Sequence, residues 1–159
     1  METARKNDVF YYMNPVIPHD HPMADPLIIE SELSRILADF AEVKLAILYG
    51  SAARGTMHQG SDVDLAVAAH PRRQLDPELL IDISLACGDA VAREVQVRDL
   101  ARAQGVYLKQ VLTEGTVIVE RDPTVRGELI IRMLDFVEDM LPNVRMIRRA
   151  NTQRFIQGA

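Results

Sequence analysis

The apolar positions of this chain change period several times, and each change marks an element. Behind Asp25-Pro26, a cap residue followed by a proline suited to the first helical turn, Leu27, Ile28, Leu33, Ile36, Leu37 and Phe40 recur at helical spacing. Lys44 to Tyr49 (KLAILY) is a short apolar run ending at Gly50 and reads as a buried strand. Ser51 to about His58 has room for one or two helical turns, and Asp62 to Ala68 (DVDLAVA) alternates as a second strand. Asp76-Pro77 repeats the cap-and-proline signature and opens a helix to about Ala92. Glu94 to Asp99 reads as a third strand, Leu100 to Leu112 as a helix, and Thr116 to Glu120 as a fourth strand. Pro123 starts a long amphipathic helix expected to run to about Met140, where Pro142 should break it. The order predicts a small α/β (α+β) domain: a mixed sheet flanked by helices, with a long helix at its end.

That pattern divides the chain in three. Residues 1–24 carry Pro15, Pro18, Pro22 and little periodicity, and read as a flexible tail. Residues 25–141 form the domain, and residues 142–159 a basic tail with Arg145, Arg148, Arg149 and Arg154. With 159 residues, 48% of them hydrophobic, the chain can bury a core without disulfides, and its lone Cys87 allows no internal one. There is no apolar stretch of the roughly 20 residues a bilayer span needs. The first residues lack a secretory pattern, so the expected address is the cytoplasm. A net charge of −5 argues against a dedicated nucleic-acid binder. It does not exclude a nucleotide, because Mg²⁺ can sit between carboxylates and phosphates.

The chemistry concentrates in Gly50 to Leu65, GSAARGTMHQGSDVDL. Glycine lets the chain turn sharply and lets a phosphate approach with no Cβ in the way. Ser51 adds a hydroxyl and an amide at the start of a helical turn, and Arg54 adds a guanidinium one turn on. Asp62 and Asp64 stand two apart on a strand, so both carboxylates share one face about 6–7 Å apart. Val63, Leu65 and Val67 then point the other way, into the core. Paired carboxylates repel, and the usual compensation is a hard cation such as Mg²⁺ shared with substrate phosphates. A phosphate-binding turn followed by a metal-binding strand is what nucleotidyl transfer needs. No GxxxxGK[ST] loop and no GxGxxG fingerprint is present as another phosphate route.

On Gly50, Ser51, Arg54, Gly55, Ser61, Asp62, Asp64 and Leu65, the chain resembles the minimal nucleotidyltransferases (MNT) of the DNA polymerase beta-like superfamily. The likeness extends in outline from about Ile28 to Pro123 and is greatest to MntA-type antitoxins of HEPN/MNT toxin–antitoxin systems. The resemblance implies transfer of AMP from Mg-ATP onto a hydroxyl, a tyrosine of a cognate HEPN-family RNase toxin, which is thereby silenced. It assigns Asp62 and Asp64 to the metal and to catalysis, and Gly50, Ser51, Arg54 and Ser61 to the nucleotide. The family's third carboxylate normally lies on the next strand in a pattern like V-D-L-V-D-L. Here the run is Val95-Gln96-Val97-Arg98-Asp99-Leu100, with Gln96 in the expected place. An amide is a poor Mg²⁺ ligand and no general base. Glu94, two residues earlier on the same face, is the substitute catalytic carboxylate. Three readings stay open: an AMP-transferring antitoxin, a catalytically weak antitoxin acting by complex formation, and a small-molecule transferase. No membrane association and no direct nucleic-acid contact are expected. His19, His21 and His58 read as tail and loop residues, Tyr49 as core or a wall for a purine, and Cys87 as a buried small hydrophobe.

Overall fold

The computed structural model describes residues 26–58 and 60–157, with side chains omitted at Pro26, Val144, Arg145 and from 147 onward. The tail expected over residues 1–24, its histidines and the Asp25 cap lie outside the described residues. Along the chain run α1 (Pro26–Leu37), β1 (Leu45–Tyr49), α2 (Gly50–Ala53), β2 (Val63–Ala68), α3 (Pro77–Val91), β3 (Val95–Asp99), α4 (Gly105–Glu114), β4 (Thr116–Glu120) and α5 (Pro123–Gln157). The strands form a sheet of order β3-β2-β1-β4, with β2 and β3 parallel and the other two pairs antiparallel. The mixed sheet and the element order expected from periodicity are both borne out.

Alternation sorts the sheet's residues onto two faces. Ala46, Leu48, Val63, Leu65, Val67 and Val95 join Ile29, Leu33 and Leu37 of α1 and Ile83 and Cys87 of α3 in one core. Leu45, Ile47, Tyr49, Ala66 and Ala68 face the other way, against Leu108 and Val111 of α4 and Val125 and Leu129 of α5. Both faces of the central strands are therefore buried, and β1 is buried at every position. At the β1–β4 edge the register slips between Ala46 and Ile47, a bulge at Ile118. The carbonyl of Ile118 accepts the Ser34 hydroxyl of α1 at 3.3 Å. Two arginines pin loops to these layers. Arg121 donates to the carbonyls of Leu37, Phe40 and Val43 at 2.6–2.8 Å. Arg132 of α5 donates to those of Leu100, Ala101 and Ala103 and, more closely, Pro71.

Three local expectations are corrected. In α1 the buried stripe is Ile29, Leu33 and Leu37, one residue per turn, while Leu27 and Ile28 are exposed. Helix α4 begins at Gly105 rather than Leu100. The Asp99 carboxylate accepts the amides of Leu75 and Ala101, at 2.6 and 2.8 Å, and holds a turn there. Buried Leu100 and Ala103 imitate helical periodicity from within that turn. Helix α5 continues through Pro142 to Gln157. Proline removes one amide from the ladder and disfavours a helix without forbidding it. The cap at Asp76 is as expected: its side chain accepts the Glu78 amide at 3.0 Å.

Candidate active site

Everything chemical in the Gly50–Leu65 stretch comes to the end of the sheet where β1 gives way to α2. Tyr49 closes β1 and pairs with Asp64 in the antiparallel register. Gly50 follows with φ +71, a left-handed conformation that glycine adopts without strain. A Cβ at Gly50 would collide with Oδ2 of Asp64. The glycine is thus required twice: once for its backbone, and once because a carboxylate lies directly over it. Ser51 sits in the single turn of α2, where its carbonyl accepts the Thr56 amide at 3.0 Å. Arg54 ends that turn and reaches Glu114, the last residue of α4, at 3.5 Å. Both side chains of this pair are about half exposed (46% and 51%). Such a pair contributes little and can give way to a phosphate.

The two aspartates differ in surroundings. Asp62 lies just before β2, exposed, and accepts a hydrogen bond from the Gln96 side-chain amide at 3.1 Å. Asp64 is on the strand and partly buried. Burial pushes its carboxyl above the usual value; Arg98 opposes this, Asp62 adds to it, and Arg54 opposes it more weakly. The parallel register sets Asp64 beside Gln96 and Ala66 beside Arg98, so these four share the face that carries Tyr49. From α4, Tyr107 donates to the Tyr49 hydroxyl at 3.3 Å, its ring edge-on to that of Tyr49. The Arg98 guanidinium lies 5.7 Å from the Tyr107 ring centre. Burial first, and then the bond to Tyr49, push the Tyr107 phenol well above its ordinary range. Tyr107 therefore keeps its proton.

The other expected residues are placed as follows. The Ser61 hydroxyl accepts the His58 amide at 2.9 Å, closing the turn that leads to Asp62. Glu94 is exposed, immediately before β3, and its carbonyl accepts the Val63 amide at 2.9 Å. Among the described residues, no three His, Cys, Asp or Glu side chains gather where a metal ion could bind them. Glu94 thus does not complete a three-acid cluster with Asp62 and Asp64, and the strand register gives the neighbouring place to Gln96. Asp62 and Asp64 remain a two-carboxylate set with the oxygen chemistry that suits a hard divalent cation. Three contributors were not singled out from sequence. Arg98 was legible, being two residues beyond Gln96 and so on its face. Arg93, which donates to the carbonyls of His58 and Ser61 at 3.2 and 3.3 Å, and Glu114 left no local signal.

A glycine turn against a two-aspartate strand, on a mixed sheet of this order, defines a nucleotidyltransferase site. The chain belongs to the polymerase beta nucleotidyltransferase family, whose model matches residues 31–124. It is similar to the protein adenylyltransferase MntA of Shewanella oneidensis, 32% identical over 87 residues, which are 54% of this chain and 61% of that relative. The matched region spans less than two thirds of the relative's length. Solved structures carry the fold likeness further. A chain of a toxin–antitoxin complex with AMP-PNP matches with a TM-score of 0.56 at 24% identity, covering 80% of this chain and 98% of that one. A chain from tri-AMPylated Shewanella oneidensis HEPN toxin in complex with MNT antitoxin matches at 0.57 and 19%, covering 80% and 99%. The family resemblance read from the Gly-Ser and Asp-Val-Asp residues is borne out.

Proposed function

We propose that this chain is an antitoxin that transfers AMP from Mg-ATP onto a tyrosine hydroxyl of a cognate HEPN-family RNase toxin and so silences it. The observation that carries the reading is the contact between the Gly50 turn and the Asp64 carboxylate. It brings the phosphate-holding turn and the metal-holding strand to one point. The similarity to an adenylyltransferase, and to chains solved in toxin–antitoxin complexes, supports the acceptor class.

In this reading the Gly50 and Ser51 backbone and the Arg54 guanidinium hold the triphosphate, with Ser61 shaping the turn beneath it. Asp62 and Asp64 would hold Mg²⁺, which would supply positive charge to neutralise the phosphates and polarise the α-phosphorus. The acceptor oxygen bonds to that phosphorus as its bond to the β-phosphate oxygen breaks; pyrophosphate leaves, and the hydroxyl proton passes to solvent or a nearby carboxylate. Glu94, exposed at the start of β3, is the carboxylate to test for that last task. Tyr49 and Tyr107 form an apolar wall beside the two aspartates.

The test is intact mass spectrometry of a purified HEPN-family protein taken from the gene neighbouring this chain's, after incubation with the purified chain, ATP and Mg²⁺. Mass steps of whole AMP units are expected, and none with Asp62→Asn/Asp64→Asn. Gln96 favours a second reading, neutralisation by complex formation alone. Full protection by the double variant, with no mass change for the wild type, would replace the first reading by the second.

A further inference from the structure

We propose that this active site works with a single divalent cation, and that Arg98 supplies the positive charge a second cation would bring. The inference rests on the nucleotidyltransferase reading above and deepens it. Two-metal phosphoryl- and nucleotidyl-transfer sites hold their ions about 3.5–4 Å apart and need anionic oxygens enough to bridge and flank both. Here the face offers two carboxylates, Asp62 and Asp64, and no third acid joins them among the described residues. The position beside Asp64 on the next strand is Gln96. Its amide nitrogen donates to Asp62 at 3.1 Å. That bond orients Asp62, and an amide in this place brings no negative charge toward a second cation.

Arg98 completes the arrangement. It lies two residues beyond Gln96 on the same strand face, beside Ala66 and diagonal to Asp64. Arg98 is exposed, and its guanidinium lies 5.7 Å from the ring centre of Tyr107, which donates to the Tyr49 hydroxyl. Arg98 shares the face that carries Asp64, whereas Arg54 is engaged with Glu114. A permanent guanidinium here repels an additional cation and is well suited to an anionic phosphate oxygen. Loss of an acid and gain of a cation on one face change the charge in the same direction. Together they compensate for a missing divalent ion.

The test counts metal ions. The full chain is titrated with Mn²⁺ in the presence of an ATP analogue carrying a methylene bridge between its α- and β-phosphates, by electron paramagnetic resonance. One Mn²⁺ per bound nucleotide is expected for the wild type. Gln96→Asp/Arg98→Gln, which restores an acid and removes the cation, is expected to bind two. Arg98→Gln alone is expected to lower kcat roughly ten- to hundredfold with a smaller change in KM. Arg98→Lys should recover part of that loss. Two Mn²⁺ per nucleotide in the wild type would overturn the inference and leave the nucleotidyltransferase reading standing. Absence of bound nucleotide would overturn both. If the variants fail to fold, as thermal melting would reveal, the wild-type count decides alone.

Discussion

Replacing Gly50 by alanine separates two demands that converge on one residue. The backbone demand comes from φ +71, where an L-residue carries about 1–2 kcal/mol of strain. The second demand is steric: the new methyl would meet the Asp64 carboxylate at a separation no real Cβ tolerates. Asp64 must then leave its rotamer, at about 0.5–1.5 kcal/mol for a partial displacement. The sum is about 1.5–3.5 kcal/mol, which for a domain of this size lowers Tm by roughly 3–14 °C. Activity should fall further than stability, because a displacement of about 1 Å in a reacting constellation can reduce rate about a hundredfold. Gly55→Ala is the comparison. Gly55 has φ +64, yet an added Cβ meets nothing within 4 Å, so only the backbone cost applies. Thermal melts of both variants, read beside the proposed AMP transfer under Mg-ATP, test the argument. Equal Tm losses for the two variants, with transfer by Gly50→Ala at the wild-type rate, would refute it.

Two further perturbations address the scaffold. Arg121→Ala removes the guanidinium from the carbonyls of Leu37, Phe40 and Val43, of which the first two keep the amides of Phe40 and Val43, and should lower stability by about 1–2 kcal/mol in urea unfolding. Arg121→Lys should recover only part of this, since one ammonium cannot span three carbonyls as the planar fork does. Cys87 is fully buried, and burial pushes its thiol up to about 11. Between pH 7 and 9 it is therefore a protonated, shielded thiol in the folded chain, whereas an unfolded thiol ionises increasingly across that range. A thiol-labelling time course at pH 8 should show no modification until urea unfolds the protein; prompt labelling of folded protein would contradict the packing described here.

Much of this protein is decided by short-range rules acting on its sequence. The KLAILY run is apolar at both parities, so β1 can only be a central strand covered on both faces, and every one of its residues is buried. The two-residue spacing of Asp62 and Asp64 sets one carboxylate just before β2 and the other on it, and Asp76-Pro77 fixes the start of α3 through its own capping bond. The Gly50-Ser51 and Asp-Val-Asp elements carry the family assignment because each is a local solution to a local chemical demand. Periodicity failed where a turn or a partner competes with it. The Asp99 carboxylate holds a turn over Leu100–Ala103 that mimics helix, and α5 runs on through Pro142.

What no local rule contains is the meeting of distant segments. The sheet order β3-β2-β1-β4 makes Gln96 the neighbour of Asp64, a pairing that spacing along the chain does not contain. Folding α4 against the sheet brings Tyr107 to Tyr49 and to Arg98, and brings Glu114 to Arg54. Those contacts depend on which strand pairs with which and in what register. That is fixed by burying both faces of the sheet at once, a property of the whole chain rather than of any stretch of it.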